Sequence, residues 1–209
     1  MPEPTTLAVF TATALLFAAS PGPNFVFVLT RTLSRGRGDA VTSVFGIGVG
    51  ALLHTVAAAL GVSALVTASA GAFTVVKTLG ALYLVYLGLK TLLSRAEART
   101  LLSLTTGKRA AFRDGFVTMV LNPKVALYFL AFLPQFVDPA KRAAGQLLVL
   151  GAAQVVIEVL VLLALAYLAG RLGGLLRAHP AFSRVQKYAS GGVYLLLGSA
   201  LALSGRKAG

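Results

Sequence analysis

The sequence has no cysteine, and only six of its 209 residues are Asp or Glu. Without cysteine it has no disulfide framework, thiol redox centre or cysteine-based metal site. Charge of either sign is scarce: 12% of residues are charged, against roughly 25% in a soluble domain. Residues 41–76 contain no Asp, Glu, Lys or Arg at all. A helix needs roughly 20 apolar residues to cross the hydrocarbon core, and several runs here are that long. These features predict a single all-α integral membrane domain over 1–209, embedded in a lipid bilayer. The first apolar run follows Glu3 without a basic leader, and Pro21 follows "AAS", so it is expected to be a retained helix and not a cleaved signal.

The charge that is present is mostly positive, giving a net +13. Lys and Arg collect between the apolar runs, as in cytoplasmic loops, and no nucleic-acid partner is expected. Six spans are expected, at about 5–30, 41–66, 72–93, 114–134, 144–170 and 187–204. Arg31, Arg35 and Arg37 follow the first. Arg95, Arg99, Lys108, Arg109 and Arg113 follow the third, with Lys90 just inside it. Arg171, Arg177, Arg184 and Lys187 follow the fifth. The other side has only Lys77, Lys141, Arg142, Arg206 and Lys207. The crowded side is read as cytoplasmic, with both termini outside. A five-span arrangement with one terminus moved is the alternative.

The two halves resemble each other. "GALYLVYLG" begins at Gly80 and "GGVYLLLG" at Gly191, each with Tyr three residues after Gly. Prolines interrupt spans one and four, at Pro21 and Pro123. An odd number of spans per copy inverts the second copy, as in many secondary transporters. The expected fold is two inverted three-helix repeats, about 1–95 and 112–205, joined by a basic linker at about 94–113.

The interruptions carry the chemistry. Proline removes a backbone donor and clashes with the preceding turn. In lipid, broken helix is tolerated only against protein or a wet cavity. Ser20, Pro21, Gly22, Pro23 and Asn24 should unwind about a turn, with Pro23 restarting the helix and Ser20 or Gly22 near its cap. Asn122, Pro123 and Lys124 repeat this pattern in span four. Each restart places free N–H groups and a positive dipole end inside the membrane, an arrangement suited to a carboxylate.

Three ionisable side chains lie deep: Lys124, Glu158 and His54. An intramembrane charge costs at least about 2.5–3.5 kcal/mol, so each is a functional candidate. Gly46, Gly50 and His54 share one helix face, and Gly151, Gln154 and Glu158 another; such small-residue stripes pack inside bundles and would also allow a homodimer. A structural Lys124–Glu158 pair and a core His54 are the alternatives. Asp39 and Asp114 are read as helix starts that favour the first-turn dipole. "GIGVG" at 46–50 reads as helix packing, not a phosphate loop. Tyr83, Tyr86, Tyr128 and Tyr194 either line a cavity or anchor an interface.

The chain resembles the LysE/RhtB amino-acid exporters of bacteria. The resemblance rests on "SPGPN" at 20–24, "GIGVGALLHTVAAALGVSAL" at 46–65, "GALYLVYLGLKTL" at 80–92, "FRDGFVTMVLNPKVALYFLAFLPQFV" at 112–137 and the closing "GGVYLLLG". It implies export of amino acids or close derivatives across the cytoplasmic membrane, driven by proton exchange. The likeness is nearer to the homoserine, threonine and leucine branch than to the lysine branch.

The expected substrate is a zwitterion held between the repeats. Its carboxylate would meet the N–H groups around residues 22–24 and 122–124; its ammonium would meet unwound carbonyls or Glu158. Ser20, Pro21, Gly22, Pro23, Asn24, Asn122, Pro123, Lys124, Gln154 and Glu158 form the expected site. Glu158 and His54 are the candidates for carrying the proton. No cofactor or metal is required. The rival readings are an intramembrane enzyme using Ser20 and His54 as nucleophile and base, and a carrier of another metabolite or ion on the same fold.

Overall fold

The structure is a computed structural model describing residues 4–68, 70–93, 106–138, 142–178 and 180–203. Linker residues 94–105, including Arg95 and Arg99, together with Glu3, Lys141, Arg206 and Lys207, lie outside the described residues. Among the described residues the chain is helical and has no strand.

The first apolar run forms α1 (Pro4–Ala19) and α2 (Pro23–Arg35), which meet at 50°. Pro23 opens α2 after an extended Gly22, a position where proline's missing N–H would have had no intrahelical partner. The basic loop expected after span one is absent. Gly36, at φ +87°, turns the chain within one residue, and α3 (Arg37–Ala68) follows at once. Only glycine holds that backbone conformation without strain. Arg31 and Arg35 are therefore helical, and Arg31 is 0% exposed.

α4 (Ala70–Leu93) closes the first half. α5 (Lys108–Val120) begins well before Asp114, which consequently lies inside a helix and not at a helix start; Asp39 does stand in the first turn of α3. After the second break, α6 (Pro123–Leu127) continues as a π-helical turn, Tyr128–Phe132, and a 3₁₀ turn, Leu133–Phe136. This second pair bends by 49°. α7 (Ala143–Ala178) and α8 (Pro180–Leu203) complete the fold.

Glycines set the helix contacts because they let backbones approach closely. Gly46 packs on Phe112 and Phe116, Gly50 on Met119, and Gly115 on Ser43, so α3 and α5 run parallel. Gly48 meets Val159, Gly151 meets Thr55, and Gly170 meets Arg37, so α3 and α7 run antiparallel. Gly80 faces Leu201 and Gly88 faces Gly191, so α4 and α8 are antiparallel too. The aromatic core lies inside the bends, where Phe17 stacks on Tyr128 at 4.0 Å.

Arg37–Gly61, Thr74–Leu93 and Ala143–Leu172 are each long and apolar enough to cross a bilayer. With each bent pair counted as one span, the described residues hold five crossings. The apolar part of α8, Gly191–Leu203, is shorter than the roughly 20 residues of a full crossing. The protein is a multi-pass helical membrane protein.

Candidate substrate site

Both breaks open onto one small cavity. Ser20, Gly22, Asn24, Asn122, Lys124 and Glu158 line it, with Phe17, Ala18, Phe25 and Val125 as its apolar wall. Its volume is about 10 Å³, roughly the space one water needs. An amino acid does not fit without movement of the walls.

A chain of amides connects the two breaks. The Lys124 backbone N–H donates to Asn122 Oδ1 at 3.1 Å, capping α6. Asn122 Nδ2 donates to Asn24 Oδ1 at 3.1 Å. Asn24 Nδ2 in turn donates to Glu158 Oε1 at 2.8 Å and to Met119 Sδ at 3.0 Å. The start of α2 is different: Gly22 offers it no side-chain cap. That terminus lies at the cavity with its dipole end uncompensated by a side chain.

Breaking a helix also exposes a C-terminal end, and here sequence reasoning fell short. The Lys124 ammonium donates to Ser20 Oγ at 2.6 Å, Phe17 O at 3.2 Å and Ser20 O at 3.3 Å, at the end of α1. All three donors of the ammonium are used. The Phe17 and Tyr194 rings stand 4.2 and 4.8 Å from the same nitrogen, within range of a cation–π attraction. The tyrosine motifs of the two halves gave a hint of this, since Tyr194 belongs to the second.

Glu158 is 95% buried, and its Oε2 has no hydrogen-bond partner among the described residues. An unpaired buried carboxylate oxygen is costly. Gln154, one turn away on α7, is outside the cavity wall; its Oε1 accepts from Tyr128 at 2.9 Å, and its Nε2 has no partner among the described residues. Pro23 and Pro123 are exposed at the starts of α2 and α6, and Pro21 is half-buried. The prolines shape the cavity without lining it.

His54 is also outside the lining. Its Nε2 meets Met119 O at 3.2 Å, at the end of α5, and its ring stacks on Phe129 at 5.9 Å. The Ser20–His54 pairing of a serine enzyme is not made. Ser20 Oγ accepts from Lys124 and donates to Phe17 O.

The family model of the LysE type translocator matches residues 15–205. The chain belongs to that family. The chain is 34% identical to an uncharacterized membrane protein of Vibrio cholerae over 84% of this chain and 86% of the relative. A homoserine/homoserine lactone efflux protein of Salmonella typhimurium is 29% identical, covering 91% and 92% of the two chains. A leucine efflux protein of Salmonella choleraesuis is 32% identical over 63% of each. No solved structure matches the chain. The family and the two efflux proteins are transporters by name, and all of these names agree with a multi-pass bacterial membrane protein.

Proposed function

We propose that this translocator exports a neutral amino acid or a close derivative across the cytoplasmic membrane in exchange for protons. One observation carries the reading: a single buried cavity holds one ammonium, Lys124, and one carboxylate, Glu158, whose Oε2 lacks a partner among the described residues. A zwitterion complements both. Its ammonium pairs with Glu158 Oε2. Its carboxylate is received by the uncapped start of α2, beside the positive charge of Lys124, as the opposite charge and dipole direct. The apolar wall of Phe17, Ala18, Phe25 and Val125 faces the side chain. The homoserine and leucine named for the relatives both belong to this class.

Glu158 is the proton carrier in this scheme. Once the substrate ammonium leaves, the buried carboxylate has no cation for Oε2, and a proton takes that place. His54, held on Met119 O outside the cavity, is assigned to packing.

The transport cycle rests on two inverted three-helix repeats that rock about the cavity, with α8 as the sixth crossing. Its support is directional. α3 opposes α7, and α4 opposes α8. Equivalent elements in an inverted repeat must oppose one another in this way. The cavity is too small for substrate, so each cycle includes a widening towards either side.

Proteoliposomes preloaded with leucine or homoserine test the proposal. Protein should release the load faster than protein-free vesicles when the outer solution is acidified. Release at the protein-free rate for every neutral amino acid tried would refute it.

A further inference from the structure

We propose that Arg31 and Asp114 form the cytoplasmic gate of the transport path, two transport residues that act on access and not by touching substrate. This rests on the export reading above and on the reading of the side rich in Lys and Arg as cytoplasmic.

Arg31 follows Asn24 by seven residues on one face of α2, which places it roughly 10 Å beyond the cavity at 1.5 Å per residue. It is fully buried. Its Nη2 donates to Asp114 Oδ2 on α5 at 3.0 Å, and its Nη1 donates to Ser43 Oγ on α3 at 3.1 Å. Ser43 Oγ donates onward to Ala111 O on α5 at 2.9 Å. The guanidinium lies over Phe27, 5.3 Å from the ring centre. Between cavity and clamp, buried Phe27, Val28 and Met119 make an apolar layer. A solute leaving the cytoplasm along α2, α3 and α5 must cross the Arg31–Asp114 contact.

A seal of this kind needs an explanation beyond stability. Well-packed apolar residues commonly replace a buried ion pair with no loss of stability. An ion pair has a property that an apolar seal lacks: once parted, both groups are well hydrated, so the open state is not penalised by exposed hydrocarbon. Asp114 is suited to parting. It is 21% exposed, and its Oδ1 already lies 3.5 Å from Arg113, which is 67% exposed. Arg113 therefore keeps a cation beside the carboxylate when Arg31 withdraws. The clamp also joins α2 of the first half to α5 of the second, the two bodies that rocking would separate.

Because the chain has no cysteine, Ser20→Cys gives a single thiol at the cavity. Inside-out vesicles expose the cytoplasmic face to a membrane-impermeant maleimide. Adding Asp114→Asn should speed labelling roughly tenfold, the effect of about 1.4 kcal/mol on an opening equilibrium. Exchanging the charges, Arg31→Asp with Asp114→Arg, should return the slow rate, a rescue that general loosening would not give. Ser43→Ala removes the Arg31–Ser43 and Ser43–Ala111 bonds without orphaning a charge, since Arg31 keeps Asp114. It should give a smaller increase, and it keeps the test available if Asp114→Asn does not fold. If neither variant labels faster while reagent outside right-side-out vesicles reaches Ser20→Cys, the gate is overturned and the path stands. If reagent reaches that thiol from neither side in any variant, the path falls and the gate with it.

Discussion

Asn24 on α2 and Glu158 on α7, 134 residues apart in sequence, are joined by a 2.8 Å hydrogen bond in the wall of the cavity. Asn24 also accepts from Asn122, so one amide holds both breaks and the carboxylate together. Asn24→Leu should destabilise the protein by about 1–3 kcal/mol, because it orphans buried polar partners. Thermal unfolding in detergent measures that loss, and efflux should fall with it. Retention of both would mean that the amide chain is not needed.

Glu158→Gln keeps the shape of the side chain and removes its ability to bind and release a proton. Efflux by the variant should lose its dependence on external acid, while counterflow exchange of substrate persists at a reduced rate. His54→Gln should leave the pH profile of transport in place. A flattened profile in His54→Gln, with an intact one in Glu158→Gln, would reverse the assignment of the proton.

Lys124→Met deletes the positive charge beside the carboxylate and frees the carbonyls of Phe17 and Ser20. Export should drop at least about tenfold. Lys124→Arg should not restore it, because a planar guanidinium does not match the three oxygens around the ammonium. Initial-rate efflux from matched proteoliposomes distinguishes these outcomes.

Two glycines on α3 should respond oppositely to the same change. A methyl group on Gly46 would run into the Phe112 carbonyl of α5, whereas one on Gly61 meets nothing within 4 Å. Gly46→Ala should cost about 1–3 kcal/mol through overpacking. Gly61→Ala should be neutral or slightly stabilising, since alanine is the better helix former. Melting temperatures of the two variants, compared side by side, check this contrast.

The breaks were legible in the sequence because proline acts locally. Pro-Gly-Pro and Asn-Pro-Lys interrupt their helices wherever the rest of the chain goes, and the structure bends within three residues of each proline. Lys124 and Glu158 were legible for a related reason: counting 1.5 Å per residue along an apolar run gives depth without any tertiary information. Arg31 was not. A basic residue at the margin of an apolar run looks like a loop charge until α5 brings Asp114 to it from 83 residues away. Nor was it visible that Lys124 would turn to the carbonyls ending α1, because a break makes two ends and only their packing decides which one a side chain reaches.

The sequence by itself determined that this is a membrane-embedded helical chain, where its helices break, and that Lys124 and Glu158 lie deep, because apolar length, proline geometry and linear spacing are local properties. The tertiary structure alone decided which partner each deep charge meets and how little room is left between them. Those outcomes depend on the rotation and register of helices packed through glycine contacts, and no single helix carries that information.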